Sequence, residues 1–271
     1  MNSMETMPTG KRLRMRRFTR RGGAVIIPLD HALYAEPAPA LADLRALVKL
    51  IADTEADGIL VTPGMLEHVA PVVGDLGIVL RVDGTHTRLG QHLERTDMIA
   101  TAESAAALGA EMVVVNAFVG VDNEDFHLNK LGMLATECRR LGLLLMGEMI
   151  PSTILNFHFA KEKKSATPQA VNRDVWLAAR LGAEIGADVI KTQYTGDPEG
   201  FRQLTAGTPV PVWIAGGPVE SKDDAAFMGM IAEAVAAGAQ GAVIGRNVWQ
   251  RESPRKAIAE LCRIVHGKAR P

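Results

Sequence analysis

Short runs of Val, Ile, Leu and Ala alternate along this chain with longer stretches in which apolar positions recur every three or four residues. The short runs are Ala24–Leu29, Gly58–Thr62, Ile78–Asp83, Met112–Phe118, Leu143–Met149, Asp188–Lys191, Val210–Ile214 and Ala242–Gly245. They are short, continuous and apolar, which predicts strands buried on both faces. Helical spacing fills most of the gaps, over Leu41–Thr54, Asp125–Arg140, Pro168–Gly186, Ser221–Ala237 and Ser253–His266. Buried strands separated by crossover helices form a parallel sheet. Eight such units in 271 residues predict a closed (β/α)₈ TIM barrel, a fold of about 250 residues. The phrases Ala-Leu-Gly-Ala (107–110), Glu-Ile-Gly-Ala (184–187) and Ala-Ala-Gly-Ala (236–239) read as helices that stop at glycine before the next strand. No linker or shift in composition divides the pattern. The expected organisation is a leader and short basic helical extension over 1–21, followed by a single barrel domain over 22–271.

Composition agrees with a large core: 47% of residues are hydrophobic but only 4% aromatic, so aliphatic side chains must fill it. The formal net charge of −1 gives the whole molecule no field that would gather nucleic acid or an anionic membrane. One segment departs from this balance. Lys11, Arg12, Arg14, Arg16, Arg17, Arg20 and Arg21 crowd into eleven residues, as in a nucleic-acid-binding arm. Leu13, Met15 and Phe18 lie among them, so the preferred reading packs those three on the barrel and leaves the charges in water. Cys138 and Cys262 fall in helical patterns and are expected as buried free thiols. No apolar run reaches the roughly 18 residues of a membrane span, and the start lacks the apolar centre of a signal peptide. A cytoplasmic protein is expected.

Such barrels carry their active sites at the C-terminal ends of the strands. Those positions hold Asp30 and His31, Thr62, Arg81 and Asp83, Asn116, Glu148, Lys191 with Gln193 and Tyr194, Gly216 and Gly217, and Gly245 and Arg246. Polar groups are rarely so dense at the ends of apolar strands. Lys191 ends a run that otherwise reads as fully buried, and lysine is seldom buried without a partner or a job. Desolvation and a neighbouring cation such as Arg81 or Arg246 favour a neutral amine, which can capture a ketone as an imine. A structural pairing of Lys191 with Asp30 or Glu148 fits the spacing as well. The glycine loops after the seventh and eighth strands suit a phosphate, with Arg246 adding a charge. Asp30, His31 and Glu148 are the acid–base candidates. The other histidines, His68, His86, His92, His127, His158 and His266, have no metal-ligand spacing, so no catalytic metal is expected.

The carriers of a wider resemblance are Lys11-Arg-Leu-Arg leading to Val25-Ile-Ile-Pro-Leu-Asp-His, then Ala187-Asp-Val-Ile-Lys-Thr-Gln-Tyr-Thr-Gly, Ile214-Ala-Gly-Gly-Pro and Gly245-Arg-Asn-Val-Trp-Gln. In this order, from about Gly10 to His266, the chain resembles the archaeal-type class I fructose-bisphosphate aldolases. That family also holds the aminodideoxyheptulosonate synthases and the thiolase of the phosphorylated autoinducer-2 dione. The resemblance implies a Schiff base on Lys191, acid–base work by Asp30, and phosphate binding around Gly216, Gly217, Gly245 and Arg246. It implies no dissociable cofactor and a homo-oligomer built from pentameric rings, a decamer. The chain departs from the family at Ile150, where aldolases and synthases carry a proton-donating tyrosine, and at Ala32, where glycine usually follows Asp-His. Glu148, two residues earlier on the same strand face, is the first candidate to replace the tyrosine, ahead of His31 and Tyr194. The thiolase branch also lacks the tyrosine, and its third strand resembles Val79-Leu-Arg81. The segment Ser152–Ser165, with Phe157, His158, Lys161, Lys163 and Lys164, is expected to lie over the site.

The expected function is therefore a carbon–carbon lyase on a small phosphorylated ketose, with Arg81 holding a second anionic or carbonyl group. A thiolase or transaldolase-type synthase on a phosphorylated ketone or diketone is the alternative. A silent sugar-phosphate-binding barrel and a nucleic-acid-associated protein are more distant ones.

Overall fold

The computed structural model describes residues 7–33, 38–85, 87, 89–90, 92, 94–159, 167–217 and 224–267. Eight parallel strands close into a barrel in sequence order: β1 (Ala24–Pro28), β2 (Gly58–Val61), β3 (Gly77–Arg81), β4 (Met112–Val119), β5 (Leu144–Pro151), β6 (Val189–Gln193), β7 (Val212–Ala215) and β8 (Gly241–Val243), which returns to β1. All eight expected strands are present. β4 and β5 run further than their apolar runs, so Glu148 lies within β5 instead of ending it.

The α-helices are α1 (Thr9–Thr19), α2 (Leu44–Ala52), α3 (Pro63–Val69), α4 (Ala102–Ala107), α5 (Glu124–Leu141), α6 (Ser152–Phe159), α7 (Pro168–Ile185), α8 (Pro198–Gly207), α9 (Asp224–Ala236), α10 (Arg246–Trp249) and α11 (Pro254–His266). Their starts follow from capping. Asp43, Thr101, Thr167 and Asp197 accept backbone N–H groups of the first turns of α2, α4, α7 and α8. Proline opens α3, α7, α8 and α11. The three repeated glycine stops hold: Gly109, Gly186 and Gly238 have φ of +81°, +123° and +107°, which a residue with a Cβ rarely adopts. Residues 160–166, including Lys161, Lys163 and Lys164, lie outside the described residues, as do His86, Pro218 and 221–223.

The strands are apolar on both faces because each face meets a core. Ile26, Leu60, Val79, Met112, Val114, Leu144, Met146, Val189, Trp213 and Val243 fill the barrel interior. Their neighbours Ile27, Ile59, Leu80, Val113, Leu145, Ile190 and Ile214 pack under the helices.

The basic N-terminal segment closes the base. Met15 and Phe18 are fully buried beneath the interior, and the Phe18 ring meets Trp213 edge-on at 6.1 Å. Leu13, expected to pack beside them, is 57% exposed. The charges do not simply stay in water. Lys11 is buried and bonds Asp188 at 2.7 Å, Arg17 lies 3.4 Å from Glu111, and Arg21 bonds Asp57 at 3.1 Å. These acids immediately precede β6, β4 and β2. Each also accepts the backbone N–H of the strand before: Val25 to Asp57, Ile78 to Glu111 and Leu145 to Asp188. Three of the seven basic residues thus answer carboxylates that stand at strand starts, and Arg14 donates to the Gly142 carbonyl, which accounts for part of the positive charge concentrated in this segment.

Candidate active site

Period-2 alternation places the reactive groups. Val79, Met146 and Val189 point into the barrel, so Arg81, Glu148 and Lys191, two residues further along the same strands, point into its mouth. Glu148 and Lys191 are register partners across the β5–β6 ladder, and the Lys191 Nζ lies 2.7 Å from Glu148 Oε1. Of the two partners the spacing allowed for this lysine, a carboxylate or a cation such as Arg81 or Arg246, the one in direct contact is the Glu148 carboxylate.

Arg81 is the hub of the site. It is 1% exposed. Its Nε donates to Asp30 Oδ2 at 2.9 Å, Nη1 to Asp83 Oδ1 at 3.3 Å and Nη2 to Glu148 Oε2 at 2.5 Å. Arg81 lines the cavity, as expected of a residue near the substrate, but all three of its nitrogens hold carboxylates, so in this structure its work is to fix them. Burial would push the Glu148 carboxyl up, but Lys191 and Arg81 outweigh it and hold it at about 2. Glu148 is thus an ionised counter-charge at neutral pH, with no proton to donate. That weakens it as the replacement for the family tyrosine. Ile150, on the same face, packs against the apolar core.

Asp30 and His31 are neighbours in sequence, and a continuing strand would turn one of them away from the mouth. β1 ends at Pro28 and a 3₁₀ turn begins at His31, and both side chains line the cavity. The His31 ring meets Trp249 edge-on at 5.4 Å. Burial lowers its pKa below 6.5, Arg246 adds to this and Asp30 opposes it; the imidazole is neutral at pH 7. Tyr194 is elsewhere. Its hydroxyl donates to Glu233 of α9 at 2.5 Å and its ring packs on Phe201 of α8, so it is no proton donor to this site.

On the far side of the mouth the two glycine loops meet. Arg246 Nη2 donates to the Gly217 carbonyl at 3.3 Å, and Asn247 Nδ2 to that of Gly216 at 3.0 Å. Trp249 Nε1 donates to the Pro28 carbonyl at 3.0 Å, tying α10 to the end of β1. Gly245 leaves no room for a side chain: a Cβ there would stand 2.8 Å from the Pro28 oxygen. The cavity between the loops and the charged groups has a volume of about 160 Å³ and is lined by Asp30, His31, Arg81, Glu148, Lys191, Gln193, Gly216, Gly217, Gly245, Arg246 and Trp249, among others. Of the strand-end residues singled out in the sequence, Asp30, His31, Arg81, Glu148, Lys191, Gln193, Gly216, Gly217, Gly245 and Arg246 line this one space, whereas Thr62, Asp83, Asn116 and Tyr194 do not. Among the described residues no cluster of His, Cys, Asp or Glu could hold a metal ion, and no helix is long and apolar enough to cross a membrane.

The sequence reading missed Lys130. It lies on α5 among the buried positions His127, Leu131, Leu134 and Cys138, and its Nζ bonds Asp83 Oδ2 at 2.9 Å. A lysine in phase with the apolar face of a helix was the available signal.

A barrel that brings a lysine amine to its open mouth, paired with a carboxylate that would balance an iminium, is the architecture of a class I aldolase. The model of the DeoC/LacD family aldolases matches residues 24–251, and the chain belongs to that family. It is 31% identical to the 2-amino-3,7-dideoxy-D-threo-hept-6-ulosonate synthase of Halobacterium salinarum, over 97% of this chain and 94% of the relative. Among solved structures it is similar to an archaeal fructose 1,6-bisphosphate aldolase, with 29% identity, a TM-score of 0.83, and coverage of 96% of this chain and 100% of the other. A second structure of such an enzyme, in which the catalytic lysine is covalently bound to the carbinolamine intermediate, matches at 28% identity and TM-score 0.83 over 96% and 100% of the two chains. The chain is thus a member of an aldolase family, and the solved structures it is similar to include a Schiff-base-forming fructose 1,6-bisphosphate aldolase, in which a lysine imine does the work of a dissociable cofactor.

Proposed function

We propose that Lys191 is the Schiff-base lysine and that its substrate is a small phosphorylated ketose. The observation that carries this reading is the placement of the Lys191 amine in one cavity with the glycine loops and with Asp30 and His31. The ammonium loses its proton to solvent and the free amine adds to the ketone carbon. The carbinolamine loses water to give an iminium, whose charge the ionised Glu148 balances at 2.7 Å. The bond between the α and β carbons then breaks. Its electrons move into the iminium to form an enamine, and the proton of the β-hydroxyl passes to Asp30 or to neutral His31 as the aldehyde leaves. Protonation of the enamine carbon and hydrolysis of the iminium release the ketone product and restore the amine. His31 takes the proton-moving role left open at Ile150, because Glu148 is held ionised and Tyr194 is elsewhere. Gly216, Gly217, Gly245 and Arg246 hold the phosphate. The same reading takes 22–271 as the catalytic domain behind the segment 1–21, and the protein as a cytoplasmic homo-oligomer, by resemblance a decamer.

Ile150 and the likeness to a synthase favour a second reading, a transaldolase-type or thiolase reaction on a phosphorylated ketone or diketone. Incubation with a panel of phosphorylated ketones and sugars, read by mass spectrometry after borohydride reduction, decides between them. A lyase releases aldehyde from a single ketose phosphate. A transferase turns over only when a second acceptor is added. No adduct with any member of the panel sinks the imine mechanism itself.

A further inference from the structure

Behind Arg81 the ion pairs continue away from the cavity. Asp83, fully buried, receives Arg81 Nη1 on one oxygen. On the other it receives Lys130 Nζ at 2.9 Å and the backbone N–H of Asn116 at 3.0 Å. Lys130 is 6% exposed, donates also to the Thr96 carbonyl at 2.7 Å, and stands 5.5 Å over the Phe126 ring. The result is one chain of contacts, Lys191–Glu148–Arg81–Asp83–Lys130, with Asp30 as a branch on Arg81. Three cations, Lys191, Arg81 and Lys130, balance three anions, Glu148, Asp83 and Asp30.

A buried and balanced network of this kind responds as a unit, because water does not screen its members. We propose that Lys130 and Asp83 are positioning residues for the Schiff-base step: they hold Arg81, and through it Glu148, and their opposite charges set how readily Lys191 gives up its proton. Neither touches the cavity. The charged and titratable groups facing Lys191 are Glu148 from β5, Arg81 from β3, Asp30 and His31 after β1, and Arg246 of α10; Asp97 acts in addition on Lys130. Lys130→Met leaves the network one negative charge in excess, which retains the proton on Lys191. Asp83→Asn leaves it one positive charge in excess, which expels that proton. Both substitutions break the same ion pair, so a merely structural role would make them act alike. A charge-setting role makes them act oppositely.

This inference rests on the Schiff-base reading of Lys191, and the test separates the two. Borohydride-trapped adduct with dihydroxyacetone phosphate is measured across a pH series for the wild type, Lys130→Met, Asp83→Asn, Lys130→Arg and the double variant Lys130→Met/Asp83→Asn, each checked by thermal unfolding. The expected result is a trapping midpoint raised in Lys130→Met and lowered in Asp83→Asn, each by on the order of one pH unit, or about tenfold in adduct at fixed pH. Lys130→Arg stays near the wild type, and the double variant, neutral again, returns toward it. If Lys130→Met does not fold, Asp83→Asn and the double variant decide. Shifts in the same direction, no shift in folded variants, or a double variant that fails to return overturn the inference while leaving the Schiff base intact. A wild type that gives no adduct removes the Schiff-base reading and this inference with it.

Discussion

Replacing Arg81 by leucine removes the hub of the network and leaves Asp30, Asp83 and Glu148 facing only Lys191 and Lys130. The guanidinium is 1% exposed, so water cannot take its place. Breaking a buried ion pair by deleting one partner destabilises by about 3–5 kcal/mol, because the remaining charge is stranded. Burial of the leucine side chain offsets part of this, by about 1.5–3 kcal/mol at most. A net loss of about 2 kcal/mol is expected, a substantial part of the 5–15 kcal/mol typical of a folded domain. Urea unfolding of the two proteins measures it, provided the slopes agree. The loss also depends on pH. The folded protein holds the Glu148 carboxyl at about 2 against an ordinary 4.5, so its stabilisation is complete above 4.5 and disappears as pH falls toward 2. Arg81 is one of the two cations responsible, so the gap between wild type and variant is widest at neutral pH and narrows on acidification. A loss below about 1 kcal/mol at neutral pH, or a gap that stays constant down to pH 3, would refute the reasoning.

Three further outcomes follow from the geometry. Phe18→Ala empties the base of the barrel, where the ring is fully buried; stability falls by about 3–5 kcal/mol in the same unfolding assay, while adduct formation by the folded protein is unchanged. Gly245→Ala drives a Cβ to 2.8 Å from the Pro28 oxygen and 3.0 Å from Trp249 Nε1; steady-state kinetics are expected to show KM for a phosphorylated ketone up by about tenfold or more, equivalent to roughly 1.4 kcal/mol, with little change for its unphosphorylated analogue. Tyr194→Phe removes only a hydroxyl bonded to Glu233, so kcat stays within about twofold of the wild type and stability falls by about 1 kcal/mol or less; a tenfold loss of kcat would return Tyr194 to the site.

The fold was legible because a closed parallel barrel leaves its imprint on both strand faces, and the eight apolar runs carry that imprint directly. The glycine stops at Gly109, Gly186 and Gly238 were legible for a related reason, since the positive φ at those helix ends excludes most other residues. The site could be read as far as the strand ends could be, which is why Asp30, Glu148, Lys191 and the glycine loops all fall in one cavity. What sequence spacing does not contain is the pairing of charges across strands. Arg81 looked like a ligand for an anion because nothing in its own strand shows Asp30 and Glu148 converging on it. Lys130 was hidden on a helix, at a buried position of the apolar face of α5 far from any strand end. The basic segment was half understood: its apolar residues were read as packing, but its carboxylate partners, Asp57, Glu111 and Asp188, are each distant in sequence. Tyr194 is one residue out of phase with Lys191 and Gln193, so the alternation that turns those two into the cavity turns it toward the helical layer.

The central claim is that one amine, that of Lys191, becomes covalently bonded to a phosphorylated ketone. Peptide mapping of the borohydride-reduced protein after incubation with dihydroxyacetone phosphate tests it directly. The account expects a single added mass, on the peptide containing Lys191, and none in Lys191→Met. An adduct on Lys130 or any other lysine, or equal labelling of the variant, would contradict it.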